Sequence, residues 1–253
     1  MPSTADDLTY SLDPVIWARE VLGFHPDPWQ EKLLRSRSKK IILNCSRQSG
    51  KSTVSSALGL HESIYRRPSF GLVVAPSQDQ SAELMMKFDE FRQAVELSSD
   101  YLDTDTKLAV RFANGNRFIA RSGSEKTARS FSAVTLLLED EASRVLDDLY
   151  NSVRPMLAVS NGRHIVMSTP FGKRGHFYKI WNNERNLWEA YKVPAEMCPR
   201  ITPEFLAEEK RTNPWFEQEY HCIFQDATDQ VFSNFTIKRM FDCNIKPLWE
   251  APL

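Results

Sequence analysis

A short apolar run, a lysine-containing loop and a helical segment follow one another early in the chain, and this succession constrains the fold more than any other feature. Ile41-Ile42-Leu43 predicts a buried strand, residues 46–53 (SRQSGKST) a loop, and the stretch to about Tyr65 a helix. Three more apolar runs follow, at residues 70–75, 134–138 and 165–168. Strands that alternate with helices in this way predict an α/β fold, with a mostly parallel central sheet flanked by helices on both faces.

The segments around these strands predict further helices. The first part of the chain, to about residue 40, carries two short amphipathic patterns interrupted at residues 23–28. Ser77 and Gln80 have the spacing of a capping box, which predicts a helix that ends near Val95. From about Ile201 the pattern changes to short helices, which indicates a small subdomain resting on the sheet.

The composition argues against several classes of protein. The chain has 253 residues, 42% apolar and 26% charged, an ordinary balance for one globular domain with a small satellite. Its four cysteines include no C-x-x-C pair, so a zinc ribbon is not expected. A net charge of −1 argues against a general polyanion binder. No leader pattern and no run long enough for a membrane span are present, which predicts a soluble intracellular protein.

Residues 46–53 lie between a predicted strand and a predicted helix, where phosphate-binding loops are found. In such a loop backbone N–H groups hold phosphates, Lys51 reaches the β and γ phosphates, and the Ser52 hydroxyl holds Mg²⁺. Cys45 stands where the usual pattern begins with glycine. The segment predicts ATP and Mg²⁺ as ligands. Its candidate nucleotide-binding residues are Ser46, Arg47, Gln48, Ser49, Gly50, Lys51, Ser52 and Thr53.

A second motif supports this prediction. The apolar residues 136–138 are followed by Glu139-Asp140-Glu141. Asp140 is predicted to hold Mg²⁺ through water, and Glu141 to polarise the attacking water as the catalytic base. Carboxylates after a strand also occur simply as caps of the next helix. The two motifs together, in this order, favour an ATP-hydrolysing site.

Two weaker elements complete the candidate site. Ser168-Thr169-Pro170 follows the last predicted strand, so Thr169 is a candidate for contact with the γ-phosphate, although the same tripeptide is also a common turn. Upstream, Gln30 is a candidate for pairing with adenine and Trp29 for stacking on it. The alternative for this pair is that Trp29 belongs to the core and Gln30 to the surface.

Six segments together resemble the ATPase domain of the large terminase subunit, the DNA-packaging motor of tailed bacteriophages. They are P-W-Q at 28–30, S-R-Q-S-G-K-S-T at 46–53, V-V-A-P-S at 73–77, A-R-S at 128–130, L-L-E-D-E-A at 137–142 and S-T-P-F-G at 168–172. The resemblance runs from about residue 24 to 226, and it implies a P-loop NTPase fold of the ASCE/RecA-like class with a small C-terminal helical lid.

The resemblance also implies how the chain is divided. Residues 1–200 are expected to form the ATPase core with an N-terminal adenine-binding segment, residues 201–226 a lid subdomain, and residues 227–253 a linker. Family members usually carry a nuclease domain after this linker, and the chain stops before such a domain. Nuclease activity is therefore not expected of it.

The family implies partners as well as chemistry. ATP hydrolysis is expected to drive double-stranded DNA into a procapsid in the cytoplasm of the infected bacterial host. The expected partners are the portal protein, the small terminase subunit and further copies of the chain in a ring of five, with no membrane. The isolated chain is expected to be a monomer.

A ring implies that an arginine from one subunit completes the site of its neighbour. Arg129 is the first candidate for this role, and Arg144 and Arg121 are the others. A solvated surface arginine is the alternative. Arg47 lies within the phosphate loop and is expected to act on the phosphates of its own subunit.

Two other functions remain open at this point. A superfamily 2 helicase or translocase shares the same motifs, but it needs a second RecA-like domain, which does not fit after residue 175. A nucleotide-gated DNA clamp would bind ATP without turnover, and Glu141 argues against it because a clamp needs no base.

The last prediction concerns residues 106–122, which have the pattern of a hairpin with Asn114-Gly115 as a two-residue type I′ turn. Arg111 and Arg117 on this hairpin are candidates for lining a DNA channel. An edge hairpin whose charges prevent aggregation is the alternative.

Overall fold

A computed structural model describes residues 3–95, 102–122, 131–226, 236 and 239–240 of the chain. Within these ranges the α-helices are α1 (Thr4–Leu12), α2 (Pro14–Glu20), α3 (Pro28–Arg35), α4 (Lys51–Tyr65), α5 (Gln78–Ala94), α6 (Asp147–Val153), α7 (Gly175–Asn183), α8 (Pro203–Thr212) and α9 (Phe216–Glu219). The strands are β1 (Lys40–Cys45), β2 (Phe70–Ala75), β3 (Leu102–Thr106), β4 (Ala109–Phe112), β5 (Arg117–Ser122), β6 (Leu136–Asp140), β7 (Arg163–Ser168) and β8 (Glu189–Val193). Four short 3₁₀ helices cover Ala142–Arg144, Arg154–Leu157, Arg185–Leu187 and Ala195–Met197.

The strands form one sheet in the order β3-β4-β5-β2-β6-β7-β1-β8. The six strands from β5 to β8 in this order pair in parallel, while β4 is antiparallel to β5 and β3 to β4. The predicted α/β fold with a mostly parallel sheet is thus confirmed. Parallel strands place all their carboxyl ends at one edge, which we call the carboxyl edge, and their amino ends at the opposite, amino edge.

Alternate residues of the central strands enter cores on opposite faces of the sheet. In β1, Ile41 and Leu43 pack in the main core with α2 to α5, whereas Ile42 packs with Phe177 and Trp188 on the other face. All three strand residues have no exposed surface. Burial of each such side chain contributes about 1.5–3 kcal/mol, so both helix layers hold β1 and the loop that follows it in place.

The amino-terminal segment contains three helices where the sequence pattern predicts two. The predicted break at residues 23–28 separates α2 from α3, but a further break divides the first helix at Asp13. The Asp13 side chain accepts a hydrogen bond from Val15 N at 2.8 Å, and Pro14 occupies the first position of α2. Proline cannot continue α1 because it lacks the N–H and clashes with the preceding turn, so the chain ends one helix and starts another.

The predicted hairpin exists, but its turn type is wrong. Gly115 N donates to the Phe112 carbonyl, and Phe112 N donates to the Asn116 carbonyl, which makes a three-residue loop. Gly115 has φ +86° and Asn114 does not have positive φ, whereas a type I′ turn needs both. The Asn114 side chain instead accepts from Asn116 N at 2.8 Å, and this local bond favours the longer loop.

The remaining elements match the expectations in part. The Ser77 hydroxyl accepts from Gln80 N and caps α5, which ends one residue before the predicted Val95. Two short helices, α8 and α9, lie in the predicted lid region. The edge strand β8 was not predicted because its residues are half exposed and do not form an apolar run. Among the described residues, no helix is both long and apolar enough to cross a membrane.

Candidate nucleotide-binding cleft

A cleft of about 810 Å³ opens at the carboxyl edge of the sheet. Its walls come from the loop after β1, the end of β6, the turn after β7, one face of α5 and the lid. The predicted site residues that line the cleft are Arg47, Gln48, Ser49, Gly50, Lys51, Ser52, Thr53, Asp140, Glu141 and Thr169. The cleft therefore brings together three motifs that are spread over more than 100 residues of the chain.

The loop of residues 46–50 leads from β1 directly into the amino terminus of α4, which begins at Lys51. Gly50 has φ +86°, and a Cβ atom there would lie 2.8 Å from Gln30 Nε2. The positive φ favours glycine at this position, and any larger residue would also displace the Gln30 amide. The turn directs the first N–H groups of α4 into the cleft, and such groups together with the helix dipole bind anions.

Lys51 and Glu141 form an ion pair inside the cleft, with 2.8 Å between Lys51 Nζ and Glu141 Oε1. Their side chains are 12% and 21% exposed. Burial works against the charge of Lys51, but Glu141 and Asp140 outweigh it and raise the pKa of the lysine. The cleft thus contains a cation whose charge is favoured by the carboxylates beside it.

Asp140 ends β6 and is almost fully buried beside this pair. Burial raises the pKa of Asp140 to about 6, with Lys51 opposing that rise and Glu141 adding to it. Its Oδ1 accepts from Glu141 N at 3.0 Å. A buried carboxylate whose charge is not fully compensated suits a divalent cation, and the Ser52 hydroxyl lines the same cleft. These oxygen donors fit Mg²⁺.

The Glu141 backbone adopts a left-handed conformation, with φ 49° and ψ 41°. For a residue other than glycine this conformation costs of order 1–3 kcal/mol, and such strain is concentrated at functional sites. The Ser168 hydroxyl donates to Glu141 Oε2 at 3.2 Å, and the Ser143 hydroxyl lies 2.7 Å from that of Ser168. Both serines therefore hold the carboxylate after the strained backbone has aimed it into the cleft.

Thr169 lies next to this group in the turn after β7. Its Oγ1 is buried and has no hydrogen-bond partner among the residues that the structure describes. The residue is 8% exposed and lines the cleft. A ligand in the cleft can therefore use this hydroxyl, as the sequence predicts, whereas the contact of its neighbour Ser168 with Glu141 was not predicted.

The predicted adenine pair does not line the cleft. Trp29 is 3% exposed and packs in the main core, so its ring has no face available for a base. Gln30 is 1% exposed, accepts from Asp27 N through Oε1 at 2.8 Å and donates to the Gly50 carbonyl through Nε2 at 3.3 Å. The amide atoms expected to pair with adenine are thus bonded within the protein, and this prediction is wrong in its geometry.

Gln30 instead belongs to a network behind the phosphate loop that the sequence analysis missed. Arg200 forms two hydrogen bonds with Asp27, at 3.0 and 2.7 Å, and donates to the Ser49 carbonyl at 3.2 Å. Two consecutive loop carbonyls, of Ser49 and Gly50, are therefore held by side chains from α3 and the segment before the lid. Asp27 and Gln30 have the spacing of a capping box. This sequence pattern could have predicted their mutual contact, but not the contacts of Arg200.

Ser46 is a second residue that the structure excludes from the cleft. It is fully buried, its N–H donates to the Val193 carbonyl at 2.8 Å, and its hydroxyl lies 3.9 Å from Cys198 Sγ. The N–H predicted to contact phosphate is used to attach the loop to β8. This N–H is therefore not available to a phosphate in the structure.

Arg47 lies at the mouth of the cleft and joins the loop to the lid. Its backbone N donates to the Glu219 carbonyl at 2.9 Å, and its Nη2 lies 3.0 Å from Glu219 Oε1. On the same side Gly172 N donates to Gln218 Oε1 at 3.0 Å. The lid is thus bonded both to the phosphate loop and to the turn after β7.

The three arginines that are candidates for completing the site of a neighbouring subunit differ in their positions. Arg129 lies outside the described residues. Arg144 lines the cleft, with its guanidinium 3.8 Å from the centre of the Phe171 ring. Arg121 is not among the lining residues, and its Nη1 donates to the adjacent Ala120 carbonyl.

On the hairpin, Arg111 pairs across the strands with Arg117, whose guanidinium covers Phe70.

A fully buried carboxylate, Glu139, lies in β6 directly behind the cleft. Its oxygens are 3.3 Å from His164 Nε2 and 2.7 Å from His176 Nε2. Burial alone would raise the pKa of Glu139, but the two imidazoles beside it lower that pKa to about 2. The group links β6, β7 and α7, and thereby fixes the strand that carries Asp140. No local sequence pattern predicts this buried group.

Comparison with known proteins identifies relatives of this chain. Curated large terminase subunits of Thermus phage G20c and Thermus virus P23-45 are 26% and 27% identical over 174 residues, which is 60% of this chain and 35% of each relative. The chain thus spans about a third of the length of these relatives.

Solved structures have the same fold. The large terminase ATPase domain of Thermus phage P74-26 matches with a TM-score of 0.72 at 22% identity, covering 85% of this chain and all of that one. The large terminase of phage HK97 matches with a TM-score of 0.64 at 16% identity, over 82% of this chain and 53% of that one. The large terminase of bacteriophage D6E in complex with ADP matches with a TM-score of 0.61 at 11% identity, over 79% and 54%.

The family model described as terminase large subunit, T4likevirus-type, N-terminal, matches residues 42–239, which span the phosphate loop, the Asp140-Glu141 motif and the lid. This match favours a terminase over the helicase and the clamp. The chain therefore belongs to the T4likevirus-type family of large terminase subunits and matches its N-terminal part.

Proposed function

We propose that the chain binds ATP with Mg²⁺ in the cleft and hydrolyses it as the motor domain of a phage large terminase. The observation that carries this proposal is the pairing of Lys51 with Glu141 at the amino terminus of α4. Lys51 is suited to binding phosphate and Glu141 to activating water, and the two side chains lie side by side in one cleft. The D6E large terminase, a structural neighbour, has been solved with ADP and with ATP-γ-S, which supports a nucleotide as the ligand here.

Lys51 and the N–H groups of residues 48–52 hold the phosphates of the nucleotide. The phosphates then compete with Glu141 for Lys51, because its ammonium group lies only 2.8 Å from Glu141 at the amino terminus of α4. When Lys51 turns to the phosphates, Glu141 is released to accept a proton from the attacking water. The free enzyme thus keeps its base occupied until substrate arrives.

Asp140 and Ser52 hold Mg²⁺. The metal, when bound, neutralises charge that develops on the phosphate oxygens. Asp140 is kept close by its hydrogen bond from Glu141 N, and Ser52 by its place in the first turn of α4. Ser168 orients the Glu141 carboxylate, and the Thr169 hydroxyl and Arg47 contact the γ-phosphate from two sides.

Hydrolysis drives double-stranded DNA into a procapsid within the cytoplasm of the bacterial host. The motor acts as a ring of subunits on the portal protein, together with the small terminase subunit. Arg129 of one subunit completes the cleft of the next. Family membership supports these partners, and the bonds from Arg47 and Gly172 to the lid provide a route by which nucleotide binding moves the lid.

The test separates binding from turnover. Lys51→Ala is expected to lose ATP affinity by a hundredfold or more, and Glu141→Gln to retain affinity while turnover falls by about 10³ or more. Lys40→Gln, an exposed residue at the other edge, serves as the control. Calorimetry measures binding, and phosphate release measures turnover with and without DNA. Near-normal turnover in Glu141→Gln would refute the assignment of the base, and binding without turnover by the native chain would favour a clamp.

A further inference from the structure

A second cavity, of about 380 Å³, lies at the amino edge of the sheet and takes no part in the function proposed above. It lies between the amino ends of β1 and β7 and the last turns of α4. The residues that line it are Ser11, Arg37, Lys39, His61, Glu62, Tyr65, Arg66 and Arg163. Since α4 has 15 residues and starts at the phosphate loop, the two cavities are about 20 Å apart.

The lining carries four cations and one carboxylate. Glu62 is shared, with its Oε1 2.8 Å from Arg163 Nη1 and its Oε2 3.5 Å from Arg66 Nη1. One carboxylate neutralises at most one of these two guanidinium groups. The cavity therefore keeps an excess of positive charge even before its exposed cations are counted.

Arg37 and Lys39 supply those exposed cations. Arg37 Nη2 donates to the Leu12 carbonyl at 3.4 Å, and Lys39 Nζ donates to the Asn161 carbonyl at 2.5 Å. Within the described ranges, neither residue has a carboxylate within salt-bridge distance. Their remaining N–H groups are available to an acceptor that enters the cavity.

Arg163 forms the floor of the cavity and is 5% exposed. Its Nε donates to the Ser38 carbonyl at 3.2 Å and its Nη1 to Glu62, but its buried Nη2 finds no acceptor in the part of the chain that the structure describes. An unsatisfied guanidinium donor in the interior is destabilising, because the group has lost its hydrogen bonds to water without replacing them. A fixed guanidinium fork with one unused arm is suited to an oxyanion.

The other groups around the cavity do not oppose an anion. Burial lowers the pKa of His61, whose Nε2 lies 2.8 Å from the Tyr10 carbonyl, and thereby favours the neutral imidazole. The Tyr65 hydroxyl donates to Asp7 at 3.3 Å. Asp13, on the far side of His61, is bound bidentately by Arg35. Asp7 and Asp13, two carboxylates outside the cavity, are thus already paired with donors.

We propose that this cavity binds a phosphate group, held by Arg37, Lys39 and Arg66 at its entrance and by Arg163 at its floor. The phosphate can come from the backbone of DNA or from free phosphate. The proposal does not depend on ATP hydrolysis at the carboxyl edge. A cationic site on the face opposite the nucleotide also explains how a chain of net charge −1 can contact a polyanion locally.

The experiment measures the melting temperature of the full chain against inorganic phosphate, at constant ionic strength. All variants carry Lys51→Ala, which weakens phosphate binding in the cleft. The test variant adds Arg37→Gln and Lys39→Gln, both at exposed positions that tolerate substitution. The matched control adds Lys32→Gln and Lys40→Gln, which remove the same charge from exposed residues outside the cavity. Phosphate stabilises most proteins to some extent by exclusion, so the difference between the variants is the signal.

We expect a saturable rise in melting temperature for Lys51→Ala and for the control, and apparent phosphate affinity about tenfold or more weaker in the test variant. Arg163→Lys, which keeps the charge but removes the fork, is expected to weaken it as well. Equal phosphate dependence in test and control variants would overturn the proposal, whether or not Arg163→Lys folds.

A second measurement distinguishes the two sources of phosphate. Binding of a short fluorescent DNA duplex is followed by anisotropy at several salt concentrations. If the phosphate belongs to DNA, the test variant binds more weakly than the control and its salt dependence has a smaller slope, by about one per cation removed. If free phosphate is the ligand, DNA affinity is equal in the two variants while the melting curves differ. No difference in either measurement would refute the site.

Discussion

The two edges of the central sheet carry charges in different ways. At the carboxyl edge, five cations line the cleft together with five carboxylates, and the central pair, Lys51 and Glu141, is in direct contact. At the amino edge, four cations line a smaller cavity with Glu62 alone. The same β-strands connect the two arrangements, since β1 begins beside Lys39 and ends at the phosphate loop.

The difference fits the function that we propose for each edge. Hydrolysis needs both signs of charge, because a cation must hold phosphate while a carboxylate accepts a proton. Glu141 accordingly has a strained backbone and a partner that substrate can displace. A site that only binds an anion needs no base, and at the amino edge the single carboxylate serves to hold Arg163 in place.

The largest expected effect concerns Arg129, which we propose completes the cleft of a neighbouring subunit. In the described cleft, Arg47 contacts Glu219 and Arg144 covers Phe171, so both arginines are bound within their own chain. Arg129→Ala is expected to lower turnover by about 10³–10⁵, as loss of an arginine finger does. Steady-state phosphate release at a concentration where subunits associate measures the effect, and Lys40→Gln, at the opposite edge, is the control.

Mixing variants tests whether Arg129 acts between subunits. Arg129→Ala and Glu141→Gln together are expected to recover activity, because one type of interface in the mixture has both groups intact. Arg129→Ala with Lys51→Ala, prepared in the same way, should recover activity for the same reason. A mixture no more active than its separate components, although the subunits associate, would exclude a trans role for Arg129.

The second prediction concerns stability at the amino edge. Glu62→Gln leaves the buried Arg163 without its carboxylate, and breaking a buried pair costs about 3–5 kcal/mol in the free energy of unfolding. Urea denaturation measures the loss. Glu31→Gln, whose pairs with Arg19 and Arg35 are more exposed, should cost less than about 1 kcal/mol. Phosphate should restore part of the loss in Glu62→Gln, and equal stability of the two variants would contradict a structural role for Glu62.

The sequence was sufficient for the elements whose pattern is local. The strand, loop and helix from Ile41 to Tyr65 were predicted because apolar periodicity and the glycine-lysine loop lie within one continuous segment. The split at Asp13 and the loop at Asn114 were mispredicted, since single side-chain bonds to nearby backbone decided between two turn conformations. The edge strand β8 depends on pairing with β1, and its own residues carry little strand pattern.

The candidate site likewise contains residues that a local sequence pattern predicts and residues that only the fold reveals. Lys51, Asp140 and Glu141 were predicted from motif order, and the structure brings them into one cleft. The network behind the loop was missed because Arg200 contacts Asp27 across 173 positions and Ser49 across 151. Nothing near residue 200 in the sequence indicates such a partner. Long-range polar contacts of this kind require the fold.

The third prediction tests this network. Arg200→Ala removes the donor to the Ser49 carbonyl and the partner of Asp27, so the phosphate loop is no longer held in its binding conformation. ATP affinity is expected to fall about tenfold, equivalent to about 1.4 kcal/mol. Turnover at saturating ATP should change little. Arg35→Ala, which removes a comparable bidentate contact with Asp13 far from the loop, is the control, and unchanged affinity in Arg200→Ala would contradict the prediction.

The smallest effect is expected from Ser168, which contacts the base and not the ligand. Ser168→Ala removes one hydrogen bond to Glu141, while Ser143 still donates to the Thr169 carbonyl and keeps the turn in place. A single hydrogen bond contributes about 0.5–1.5 kcal/mol, so kcat should fall about 2- to 10-fold. KM for ATP should stay the same, because the bond orients the base and does not hold substrate. Ser152→Ala, which loses only a bond to its own helix, is the control. A raised KM with unchanged kcat would mean that Ser168 binds nucleotide directly, and that the carboxyl edge holds Glu141 through the strained backbone alone.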